Sequence, residues 1–95
     1  MRLKVTTCNT KPGIDTEIEW YNETHMVESL CNMDHVISTI DSIIKNNIIY
    51  WCEDTILEKI HIMCDDQDTV EYITNYWDII FRYPNIKVCI DFEIL

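Results

Sequence analysis

A chain of 95 residues has room for one hydrophobic core, so a single domain spanning residues 1–95 is expected. Its apolar fraction of 47% is enough to pack such a core, which excludes an intrinsically disordered chain despite a net charge of −10. Seventeen acidic side chains against seven basic ones also exclude direct nucleic-acid binding and attraction to anionic membranes, since both need a cationic surface.

Residues 2–8 alternate as a half-buried strand does, with Leu3, Val5 and Thr7 on one face and Arg2, Lys4 and Thr6 on the other. The segment begins at Met1 and lacks the apolar block of a signal peptide, so the chain reads as complete. No stretch nears the roughly 18–20 apolar residues of a membrane span. Residues 16–21 alternate again, with Ile18 and Trp20 against Glu17, Glu19 and Tyr21. Between the two lies Lys11-Pro12-Gly13-Ile14, whose Pro-Gly pair suits the centre of a type II turn. The expected hairpin sets Lys4 opposite Glu19 or Tyr21, with Leu3 and Val5 sharing the other face with Ile18 and Trp20.

Asn22 is a suitable helix cap, with Glu23 in the first turn at the positive end of the dipole. Met26, Leu30, Met33, Ile37, Ile40 and Ile44 then recur at three- and four-residue spacing, which predicts a long amphipathic helix ending near Asn46-Asn47. Residues 48–58 fit either a short buried strand or a second helix, because so brief an apolar run carries no decisive period. Residues 59–64 alternate as a strand, with Ile60, Ile62 and Cys64 opposite His61 and Met63. Asp68-Thr69-Val70-Glu71 matches a capping box, opening a helix with the apolar stripe Val70, Ile73, Tyr76, Trp77, Ile80 and Phe81. Pro84 ends it. The last segment sets Ile86, Val88, Ile90, Phe92 and Ile94 against Lys87, Cys89, Asp91 and Glu93.

The order predicts an α+β, two-layer sandwich. Its mixed sheet has four or five strands, built from the N-terminal hairpin and a C-terminal β-α-β unit with parallel strands and a right-handed crossover. Strong alternation implies one wet sheet face and one covered by the two main helices.

Five cysteines (Cys8, Cys31, Cys52, Cys64 and Cys89) are odd in number and lack close pairing, which points to a reducing compartment, the cytoplasm. Seventeen Ile, no Ala and two Arg indicate a very AT-rich genome. Gly13, the single glycine, sits in the turn, so no glycine-rich phosphate loop is available.

Cys64-Asp65-Asp66-Gln67-Asp68 ends a strand and begins a helix, where α/β proteins often hold their chemistry. A phosphatase-type cysteine needs an Arg six positions on, where Val70 stands. Three neighbouring aspartates oppose a thiolate. A calcium loop needs a central glycine and a distal glutamate in register, and both are missing. A magnesium site on Asp65 and Asp66, with Asp68 in support, makes a hydrolase the third functional reading. An acidic helix N-terminus that satisfies free backbone amides is the plainer account. Among His25, Cys31, His35, His61 and Cys64 no zinc framework appears: Cys31 and His35 are four apart on a helix, but His61 and Cys64 point to opposite strand faces. No metal, cofactor or catalytic residue is assigned.

The acidic excess favours a basic protein partner, because complementary potentials speed encounter and set specificity. Two patches join carboxylates to aromatic rings suited to interface anchoring: Tyr50 and Trp51 beside Glu53 and Asp54, and Tyr72 beside Asp65, Asp66, Asp68 and Glu71. The leading expectation is a non-enzymatic inhibitor that masks a basic, nucleic-acid-handling surface, such as that of a nuclease or toxin. Immunity proteins, antitoxins and the anti-host inhibitors of phages or viruses do this work. An accessory subunit or homodimer with an apolar interface is the second reading.

Overall fold

The N-terminal alternation is realised as a long hairpin. In the computed structural model, which describes residues 1–12, 18–28, 30–50, 56–83 and 86–95, β1 (Leu3–Pro12) pairs antiparallel with β2 (Ile18–Val27). The register runs from Leu3↔Val27 through Lys4↔Met26 to Pro12↔Ile18. Lys4 therefore faces Met26, and the expected pairing with Glu19 or Tyr21 is corrected. The hairpin is longer than the alternation suggested because residues 22–27 belong to the strand. There the period is two: Thr24 and Met26 are exposed, while His25 and Val27 are half-buried. Thr6 Oγ1 and Thr24 Oγ1 lie 3.2 Å apart across the strands.

The cap of the first helix accordingly lies ten residues after the expected one. α1 (Met33–Tyr50) is capped by Asn32, whose Oδ1 accepts the His35 N–H at 2.9 Å. Val36, Ile40, Ile43, Ile44 and Asn47 form its buried face at helical spacing. The helix continues past Asn47 to Tyr50, which removes residues 48–50 from the strand alternative; residues 51–55 lie outside the described residues.

β3 (Ile56–Cys64) starts earlier than expected and lies antiparallel to β1. The pairing shifts at Cys8/Asn9, where Cys8 faces Lys59 but Asn9 faces Leu57. α2 (Gln67–Ile80) then leads to β4 (Lys87–Phe92), parallel to β3 as the β-α-β reading requires. The strand order is β2-β1-β3-β4, a four-stranded mixed sheet with two helices: a small α+β sandwich.

One core cluster joins Leu3, Val5, Ile60 and Ile62 of the sheet to Val36, Ile40 and Ile44 of α1 and Val70, Ile73 and Trp77 of α2. Burying each large aliphatic side chain contributes about 1.5–3 kcal/mol. Trp77 stacks at a tilt on Phe81, centroids 4.4 Å apart, and Phe81 caps the helix through its N–H to Trp77 O. Beyond Ile90 the core contact ends: Val88 and Ile90 pack against the cluster, whereas Phe92 and Ile94 are exposed. β3 stops at Cys64, opposite Phe92, so Ile94 has no neighbouring strand position. No described helix is long and apolar enough to cross a membrane.

Candidate functional site

The acidic turn after β3 divides by role. Asp65 Oδ1 accepts the Arg2 backbone N–H at 2.7 Å, and the Asp65 N–H donates to Arg2 O at 3.3 Å, closing the chain start onto this turn. Asp66 is the true cap of α2: its side chain accepts from Thr69 N at 3.2 Å and from the Thr69 hydroxyl. The expected capping box at Asp68 is thereby corrected, because the helix already begins at Gln67 and Asp68 lies inside its first turn. Asp65 and Asp66 thus serve strand closure and helix capping.

Cys64 is 1% exposed. Burial pushes its thiol pKa up from 9.0; a backbone hydrogen bond from Asp66 opposes this, and the charges of Asp65 and Asp66 add to the rise. It is a core thiol.

Asp68, Glu71 and Asp78 stand exposed on α2. Beside them Tyr72, Tyr76 and Ile79 are 43%, 46% and 74% exposed, at helical spacing along one side of the helix. Tyr72 and Tyr76 pair at 4.9 Å between centroids. Tyr76 was expected in the core stripe; it lies outside because the helix kinks at this residue (φ −118°, ψ 18°), and its ring joins Tyr72. The outcome is an apolar and aromatic ridge with carboxylates at its flank. Of the other expected patch, Tyr50 is the last residue of α1, while Trp51, Glu53 and Asp54 lie outside the described residues.

His35 Nδ1 is 3.5 Å from Cys31 N at the start of α1. His25 lies in a polar cleft of about 540 Å³ between β2 and α1, with His35, Ser38 and Ser42. Among the described residues, the group of three with potential metal-ligating atoms is His61, Cys89 and Asp91, all within 4.8 Å of one another. Parallel pairing sets His61 directly opposite Cys89, and Asp91 follows two residues on, so all three side chains share the open sheet face. Asp91 Oδ2 is 2.7 Å from His61 Nε2 and accepts the Cys89 thiol at 3.4 Å. The His61 hydrogen bond, then that from Cys89, holds the Asp91 carboxyl below its usual value, and Asp91 raises the Cys89 thiol. A cleft of about 370 Å³ adjoins the cluster, with Lys59 and Lys87 at its rim and Thr6 and Cys8 on its wall. Sequence reading missed this group because Cys89 and Asp91 meet His61 only through the β3–β4 register. The i, i+2 spacing of Cys89 and Asp91 on one strand face was its available signal.

No protein-family model, curated protein or solved structure matches the chain.

Proposed function

We propose that the chain is a small acidic protein-binding module whose α2 outer face docks on a basic surface of a partner protein and masks it. The observation that carries this reading is the ridge of Tyr72, Tyr76 and Ile79, exposed to water beside Asp68, Glu71 and Asp78. Aromatic and aliphatic side chains left in water on an otherwise well-packed helix gain free energy when covered, and tyrosine does so with little loss of side-chain entropy. The flanking carboxylates select a cationic partner and reject an anionic one. A partner that normally handles nucleic acid supplies such a surface, so masking it amounts to inhibition of the immunity, antitoxin or anti-host kind. The chain acts here without catalysis. Thiols at Cys8, Cys31, Cys64 and Cys89 fit work in a reducing cytoplasm.

Homodimerisation through the same ridge is the weaker alternative. A two-fold axis on α2 brings Asp68, Glu71 and Asp78 of one copy towards the same charges of the other, and the whole chain carries −10.

The test is capture from a lysate of the source cell at low and high salt, with wild type, Tyr76→Ala and Ile79→Asp as baits. Wild type should retain a basic protein that salt releases, and both variants should lose it. Equal retention by all three baits removes α2 as the docking face. Light scattering that shows a stable dimer, itself abolished by Ile79→Asp, favours the alternative.

A further inference from the structure

We infer that His61, Cys89 and Asp91 form a binding site for a zinc-type divalent transition ion on the open face of the sheet, separate from the α2 ridge. The three side chains offer an imidazole nitrogen, a sulfur and a carboxylate oxygen within 4.8 Å of one another, a set matching the ligands that borderline-soft Zn²⁺ takes. Magnesium and calcium favour oxygen ligands throughout, so a set with sulfur and imidazole discriminates against them.

The geometry is close to what the ion needs. In a tetrahedral zinc site with Zn–S of about 2.3 Å and Zn–N and Zn–O of about 2.0–2.1 Å, ligand atoms lie roughly 3.3–3.5 Å apart. Cys89 Sγ and Asp91 Oδ2 are already 3.4 Å apart, and His61 Nε2 and Asp91 Oδ2, at 2.7 Å, need only a small side-chain rotation to open. The donors come from adjacent paired strands, whose register fixes Cys89 opposite His61.

The same arrangement disfavours a nucleophilic triad. There the base lies between nucleophile and acid, with the acid on the far imidazole nitrogen. Here Asp91 Oδ2 takes contacts from both the Cys89 sulfur and His61 Nε2, so the carboxylate occupies the central place. Three ligands around one small volume serve an ion better than a proton relay.

Three protein ligands leave a fourth position, and the space beside His61 and Cys89 is the cleft that carries Lys59 and Lys87. Thiolate and carboxylate together neutralise the charge of the ion. The two lysines then favour water in its hydroxide form, or another small anion, as the fourth ligand. The His61 and Asp91 side chains retain 41% and 55% of their exposure, so the ion reaches the site from solvent.

Titration of the reduced, metal-free protein with Co²⁺, followed by absorption, tests the proposal. Wild type should bind one equivalent, with a thiolate-to-cobalt charge-transfer band and the visible bands of tetrahedral cobalt, all displaced by Zn²⁺ and untouched by Mg²⁺. Cys89→Ser should abolish the charge-transfer band. His61→Gln and Asp91→Asn should each weaken binding roughly tenfold or more, since even groups that only hydrogen-bond to a ligand are worth that much. Cys31→Ser, altered just ahead of α1, should bind as wild type does. Circular dichroism of the metal-free variants checks that each is folded; the exposed positions of Cys89 and Asp91 make them tolerant sites. Absence of the band in wild type, its persistence in Cys89→Ser, or its loss in Cys31→Ser in place of Cys89→Ser would overturn the assignment.

Discussion

Asn9 and Asn47 form a polar link inside the apolar core. They are 0% and 4% exposed, and Asn9 Nδ2 donates to Asn47 Oδ1 at 2.8 Å, while Asn47 Nδ2 donates back along α1 to Ile43 O at 2.8 Å. Asn9 Oδ1 is buried with no hydrogen-bond partner among the described residues. Replacing Asn47 with Leu puts an apolar side chain over the sheet but leaves the whole Asn9 amide dry. A buried polar group stripped of its partner costs about 1–3 kcal/mol. Asn9→Val strands the Asn47 carbonyl in the same way and costs a similar amount. The double variant removes both groups together, so it should be less destabilised than either single one. At about 4–8 °C per kcal/mol for a domain of this size, each single variant should melt roughly 5–20 °C below wild type. Urea unfolding followed by tryptophan fluorescence suits the measurement, since Trp77 packs on Phe81 in the core. Additive single costs, within about 0.5 kcal/mol, would refute the coupling and with it the view that this pair sets α1 against β1.

Two further outcomes follow from local structure. Asp66→Ala should cost about 0.5–2 kcal/mol by thermal melting as the α2 cap is lost, whereas Asp68→Ala should stay within about 0.5 kcal/mol; equal costs contradict a cap at Asp66. The Cys64 thiol has its folded pKa raised above 9.0, so its contribution to stability is complete below that pH and is lost as pH rises through the folded value. Melting temperatures should therefore fall less steeply above about pH 9 in Cys64→Ala than in wild type. Parallel curves remove Cys64 as the cause.

The parts of the fold legible in the sequence are those where one period dominates. Leu3 to Thr7 and Ile60 to Cys64 alternate cleanly and became β1 and β3; Ile86 to Ile90 marked β4 and, with the helix before it, the parallel β-α-β unit. Residues 22–32 were misread because Met26, Leu30 and Met33 fit a helical stripe as well as Thr24 to Val27 fit a strand. Local pattern cannot weigh the cross-strand pairing that decided it. Asp68-Thr69-Val70-Glu71 carried the formal capping motif, yet Asp66 caps the helix with Thr69 at the third position, a combination outside that motif. Asp68, Glu71 and Tyr72 were found as surface groups, while Ile79 and Tyr76 completed their ridge only once the kinked helix showed which residues it exposes. His61 and Asp91, 30 residues apart, depend on a strand register that no single-chain pattern encodes.

Among the described residues the charges are not spread uniformly, and this bears on how the proposed partner would approach. Paired positions place Lys4, Lys59 and Lys87 with His61 on the open sheet face, whereas α2 exposes Asp68, Glu71 and Asp78. Even with Asp91 on the sheet face, a cationic partner of the proposed kind would be steered towards the helix and away from the sheet, provided the local field and not the total charge governs encounter. The two are separable by variants of equal charge. Asp68→Lys/Glu71→Lys and Glu23→Lys/Glu28→Lys each reverse two exposed acids, and each reversal adds two charges, so both proteins carry −6. With the captured partner in stopped flow, the first variant should associate more slowly than wild type, with a flatter salt dependence. The second should keep most of the wild-type rate. If both slow to the same extent, steering belongs to the whole chain and α2 loses its claim to orient the encounter.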